Sequence, residues 1–149
     1  MSVEAKPFTL PNQHEYHGQP FPRALKVNAA SLEEACEWAR DRAAELNAQA
    51  AAQGAVLVRG LLLATPEDFD AIVAAFGFPV FSYEDSLSNA YRINYTPRVF
   101  SANEAPPEVT IFLHHEMAQT PSPPAKLFFF CQTAPTEGGA TPICRSDIL

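Results

Sequence analysis

The stretch Thr110-Ile111-Phe112-Leu113-His114-His115-Glu116 decides how this chain is read. Four apolar or β-branched residues run into two histidines and a carboxylate. In an extended strand successive side chains point to opposite faces, so positions i and i+2 share one. The pattern therefore predicts that His114 and Glu116 project together and that His115 points away. Their Cα atoms would lie roughly 6.5–7 Å apart. An imidazole and a carboxylate so placed can converge on one ion. With one more imidazole they make the facial set used by non-haem Fe(II) oxygenases. An H-x-E on its own is also what any solvated strand end can carry.

Similar short segments surround this one. YRINYTP (91–97), KLFFFCQ (126–132) and ATPICR (140–145) are rich in β-branched and aromatic residues, with loops of Pro, Asn, Ser and Gly between them. The half from residue 80 onward reads as sheet, of sandwich or barrel type. LFFFC (127–131), apolar at every position, reads as a strand buried on both faces rather than a cofactor box.

Upstream the pattern is helical. Ser31 with Glu34 three residues later predicts a capping box opening a helix over 31–53. Leu32, Ala35, Ala39, Ala43 and Leu46 form its inner face and Gly54 its stop. AVLV (55–58) reads as a buried strand. A second helix is expected over 66–76, with Thr65 as cap, Pro66 at its first position and Gly77 after it. Residues 1–30 read as an irregular, proline-punctuated arm. His14 and His17 make an H-x-x-H there, but Pro11, Gly18 and Pro20 speak against the helix it would need, and polar loop histidines are the simpler reading. Proline accounts for 14 of 149 residues, about 9% against a usual 5%, so segments are short.

Composition bounds the function. The length fits one domain, and 47% hydrophobic with 18% charged residues is globular. The net charge of −7 lacks the basic footprint of a nucleic-acid binder. Arg59 interrupts the longest apolar run, so no membrane span is expected. The N-terminus shows no signal-peptide pattern, and three scattered cysteines, Cys36, Cys131 and Cys144, predict reduced thiols and a cytoplasmic setting.

Beyond the H-x-E itself, Leu113–Ala118 is followed by PSPP, the run LFFFC, then Ala134-Pro135, Gly138-Gly139, Thr141-Pro142 and Arg145-Ser146-Asp147. This order resembles the iron- and 2-oxoglutarate-dependent dioxygenases of the taurine dioxygenase and clavaminate synthase type. In pattern it is most like the syringomycin-pathway hydroxylases of antibiotic biosynthesis. The specific match covers about 40 residues, and RVFS…EAPP (98–107) extends it weakly upstream. The resemblance implies an α+β, β-rich fold, with two helices preceding part of a double-stranded β-helix or jelly roll. It implies Fe(II) held by His114 and Glu116, and 2-oxoglutarate held in part by the Thr141 hydroxyl. Gly138 and Gly139 would form the turn before that strand, where glycine permits φ > 0. The implied reaction consumes O₂ and 2-oxoglutarate, releases succinate and CO₂, and hydroxylates a small, amino-acid-like substrate. A carboxylate at Glu116, where halogenases of the group carry a small residue, favours hydroxylation. Lys126 and Arg145 could meet an anionic substrate, though solvated or ion-paired roles are the simpler reading.

The resemblance stops short at one end. The family's second ligand histidine and its 2-oxoglutarate-binding arginine lie well downstream, and no histidine follows His115 in this sequence. The chain thus reads as the N-terminal portion of a dioxygenase domain: arm 1–30, helical segment 31–78, first part of the β core 80–149. An incomplete jelly roll leaves strand edges and apolar faces open, so self-association or a second chain supplying the rest is expected. A non-catalytic pseudoenzyme or interaction fragment of the same fold is the alternative, and a cupin-like zinc protein ranks behind both.

Overall fold

The computed structural model describes residues 3–81, 92–102, 104–106 and 108–149. Its ordered frame is β1 (Ala5–Pro7), β2 (His14–Tyr16), β3 (Gln19–Phe21), β4 (Arg23–Val27), α1 (Leu32–Gln53), β5 (Val56–Arg59) and α2 (Pro66–Ala75). β4 is the central strand of a three-stranded sheet. It pairs antiparallel with β1, Ala5 opposite Val27, and parallel with β5, Arg23 opposite Val56. Parallel neighbours need a crossover, and α1 supplies it. β2 and β3 form a separate hairpin whose turn places His17 and Gly18 at positive φ.

Both helices start as their sequences dictate. The Ser31 hydroxyl accepts from the Glu34 amide at 3.2 Å, and the Glu34 carboxylate accepts from the Ala30 amide at 2.8 Å. Thr65 and Asp68 cap α2 reciprocally, and Gly54 closes α1 at φ +84°. The apolar stripes meet in one core of Leu25, Val27, Ala29, Ala35, Trp38, Ala39, Leu46 and Ile72. Among the described residues, no helix is long and apolar enough to cross a membrane.

Two expectations need correction. The described part of the 1–30 arm is not irregular: residues 3–30 carry β1–β4, including the strand on which the sheet is built. The alternation in Arg23–Val27 is short, and its partners, β1 and β5, lie on either side in sequence, which a local reading does not reveal. The second correction concerns the half beyond residue 80. Among its described residues there is one isolated antiparallel bridge, Asn94 with Phe100, and no strand. TIFL, LFFFC and TPIC have strand composition, but a strand exists only where a neighbour takes its backbone hydrogen bonds. The structure is thus a mixed α/β arrangement of two helices and small sheets, and it does not show a double-stranded β-helix.

Candidate functional site

His114 and Glu116 do come together, although no strand ladder runs through them. Glu116 opens a tight turn through Gln119. Within it Met117 sits at φ +56° with its side chain 3% exposed, and Thr120 returns both its amide and its hydroxyl to the Met117 carbonyl at 2.9 Å. A non-glycine residue at positive φ is disfavoured, and burial of the methionine side chain offsets that cost. Just ahead of that turn, Oε2 of Glu116 lies 3.7 Å from Nε2 of His114. His115 points elsewhere, with its Nε2 2.8 Å from the Ser146 hydroxyl.

Two further contacts set the chemistry of the pair. Nδ1 of His114 lies 2.7 Å from the Phe112 carbonyl oxygen. A carbonyl can only accept, so Nδ1 carries the proton, and in the neutral ring Nε2 presents a lone pair. On the other side, Arg92 donates from Nη2 to Glu116 Oε1 at 3.0 Å, with both side chains 16% exposed. Arg92 also donates from Nη1 to the Ser101 carbonyl at 3.2 Å. Its loop is clamped to α2 by the fork of Arg98 on Asp70, at 2.7 and 3.1 Å. The site is thus tied through a loop to the helical layer.

In the neutral ring Oε2 and Nε2 are two acceptors facing each other; with Nε2 protonated the same contact is an ion pair. Bonds of about 2.0–2.2 Å to nitrogen and oxygen would span them with one cation between. At 3.7 Å the two donors fit one metal ion, with some closure needed for the right angles of an octahedral set. Among the described residues no third His, Cys, Asp or Glu joins them.

The other residues singled out by the sequence fall as follows. Thr141 is exposed, and among the described residues no hydrogen bond joins it to His114 or Glu116. Gly138 and Gly139 take φ of +63° and +66°, as a turn there requires. Lys126 stacks its ammonium over the Phe78 ring at 4.9 Å, and Arg145 forks onto Asp147 at 2.6–2.7 Å. LFFFC is covered on one face only. Phe128 packs on Phe76 and Phe130 on Phe69, while Phe129 is 74% exposed. His14 stands in the β2–β3 hairpin beside Tyr16. Sequence reading missed Arg92, Met117 and Ser146. A half-buried carboxylate requires a cation, but nothing in the sequence says that it comes from 24 residues upstream.

Residues 17–146 match the family described as "Taurine catabolism dioxygenase TauD, TfdA family". This chain belongs to the TauD/TfdA family. The family chain is also 37% identical, over 147 aligned residues, to a clavaminate synthase-like protein of Arabidopsis thaliana. That alignment covers 94% of this chain and 44% of the relative, so the chain spans less than half the length of the curated protein it matches. These similarities agree with the resemblance carried by the H-x-E-M and G-G-x-T-P stretches. They place the chain with proteins of the taurine dioxygenase and clavaminate synthase-like kind.

Proposed function

We propose that this chain forms the first part of an Fe(II)/2-oxoglutarate-dependent oxygenase that hydroxylates a small, amino-acid-like molecule. The observation that carries the reading is the pair of acceptor atoms, His114 Nε2 and Glu116 Oε2, facing each other at 3.7 Å. Two lone-pair atoms so close repel unless a proton or a metal ion lies between them, and in this reading the metal ion does. The contact to the Phe112 carbonyl fixes the ring in the tautomer that a metal needs. Iron bound there, with 2-oxoglutarate, would use O₂ to hydroxylate the substrate and release succinate and CO₂.

The chain's own residues have defined tasks in this reading. His114 and Glu116 hold the metal from one side. Arg92 draws on Oε1 of Glu116 and so turns Oε2 toward the ion. Gly138 and Gly139 bend the chain ahead of Thr141, whose hydroxyl helps hold 2-oxoglutarate. A carboxylate at Glu116 would fill the coordination position that a halide would otherwise take, which favours hydroxylation over halogenation. Residues 80–149 contribute the first part of a jelly-roll core, and 1–149 belong to one domain. The free thiols Cys36, Cys131 and Cys144 accord with a reducing, cytoplasmic setting.

A second reading has its own support. The sequence holds histidines only at 14, 17, 114 and 115, and two ligands place 2-oxoglutarate poorly. A third ligand and an arginine for its far carboxylate must then come from polypeptide other than these 149 residues, or the fold is non-catalytic. Anaerobic addition of Fe(II) and 2-oxoglutarate separates the two. An oxygenase gives a visible metal-to-ketoacid charge-transfer band that disappears in His114→Ala. A folded 149-residue chain that gives no band is not the enzyme by itself, and a form carrying further polypeptide that also gives none is the non-catalytic fold.

A further inference from the structure

A second site lies on elements that carry neither His114 nor Glu116. Between β1, β4 and α1 lies a half-open pocket of about 80 Å³. One water molecule needs roughly 10–15 Å³. Ala5, Pro7, Leu25 and Leu46 supply apolar wall. Strand alternation puts Arg23 on the same face of β4 as Leu25, beside α1, where an apolar residue would be the ordinary choice. Trp38 and Arg42, one helical turn apart, close the cavity from α1.

The polar groups there are unbalanced. Trp38 is 4% exposed, and its indole N–H has no hydrogen-bond partner. Arg23 Nε is covered and likewise has no partner, and among the described residues Arg23 forms no ion pair. Covered donors left unpaired are rare, because each has given up water for nothing. Arg42 is neutralised by Glu45 at 2.6 Å, and that carboxylate also accepts from Gln49 at 2.9 Å. The wall therefore carries one uncompensated positive charge, from Arg23, and an orphan donor beside it. Both call for an acceptor bearing negative charge, with a short apolar remainder to lie on the aliphatic wall.

We propose that this cavity binds a small monocarboxylate of the size of formate or acetate. The acid pairs with the Arg23 guanidinium and accepts from the Trp38 indole N–H, its methyl facing Leu25 and Leu46. The seating requires the long Arg23 side chain to shift enough to uncover the two nitrogens. Glu45 stays with Arg42.

Trp38 is the sole tryptophan, so its indole N–H gives a single resonance in a ¹H–¹⁵N spectrum. Acetate is titrated into the 149-residue chain at constant ionic strength, with chloride as the control. The expected result is a saturable movement of the indole resonance with acetate and none with chloride. Arg23→Gln should weaken the response at least tenfold. Ala5→Leu, which fills the cavity without removing a donor, should abolish it in a protein whose circular dichroism is unchanged, and it serves if Arg23→Gln fails to fold. A non-saturating movement, an equal response to chloride, or a full response in Ala5→Leu overturns the proposal.

Discussion

His114 and Glu116 show how little a residue's type says without its hydrogen bonds. The Phe112 carbonyl decides which ring nitrogen of His114 holds the proton, and Arg92 decides which carboxylate oxygen of Glu116 turns toward the ring. Arg92 is the residue whose loss tests this. Without metal, Arg92→Ala leaves a largely covered carboxylate short of its cation and should cost about 1.5–3 kcal/mol by urea denaturation. The Arg92→Ala/Glu116→Ala double variant should cost less than the sum of the singles, by about 0.5–3 kcal/mol. If the two losses simply add, the 3.0 Å contact is not energetically coupled. In the metal-bound reading the same Arg92→Ala should weaken Co(II) or Fe(II) affinity about 10–100-fold, because it acts on a ligand's orientation rather than on the ligand.

At the scale of elements, α2 offers a sharper test than its size suggests. Thr65→Ala removes the acceptor for the Asp68 amide and should cost about 1 kcal/mol. The Asp68 carboxylate accepts from the backbone amides of Ala64 and Thr65, which hold its pKa below the ordinary value. A group with a lowered folded pKa adds stability above its unfolded pKa and loses it as pH falls through the folded value. Melting curves of the wild type should therefore drop below pH about 4 by more than those of Asp68→Asn. Equal acid slopes would mean that the cap does not bind its proton differently on folding. Turns at positive φ divide by what surrounds them. At Gly18 (φ +74°) nothing lies within 4 Å of an added Cβ, so Gly18→Ala should cost only the left-handed penalty of about 1–2 kcal/mol. At Gly60 (φ +87°) an added Cβ would collide with the Val27 carbonyl oxygen, on the central strand. Gly60→Ala should thus lower the melting temperature far more than Gly18→Ala. Both helices, their caps and the AVLV strand were legible in the sequence, because caps and 3.6-residue periodicity are local signals. β1 and β4 were not, since their pairing joins residues some 20 positions apart. The H-x-E pair was legible because alternate residues of an extended segment share a side, and His114 and Glu116 lie together while His115 turns to Ser146; the positive φ at Met117 that follows them is announced by no residue type.

Across the whole molecule, the first half is a sheet covered by helices and the second is a coat pinned to it at separate points. Arg98 holds Asp70, Phe128 and Phe130 lie on Phe76 and Phe69, and Gln132 donates to the Ala64 carbonyl at 3.2 Å. Arg145 lies against Gly54, at the C-terminal end of α1, whose last turn has no basic residue of its own. A cation there suits the negative end of the helix dipole. The pins are side-chain contacts; among its described residues the coat has one isolated backbone bridge, and Phe112, Leu113 and Phe129 stand 79, 59 and 74% exposed. Resistance to local opening follows backbone pairing and burial, so the halves should differ. In native-state hydrogen exchange of the 149-residue chain, amides of β4, β5 and the middle of α1 should exchange only through global unfolding. Those of 109–113 and 127–131 should exchange near the rate of an unstructured chain. Protection at 127–131 equal to that of β4 would mean that LFFFC has found a strand partner, in a second copy or within the chain, and that the jelly roll assembles without further polypeptide. Protection that appears only in a longer form of the protein would instead assign the missing ladder to the added residues. The exposed phenylalanines would then be the inner face of that sheet.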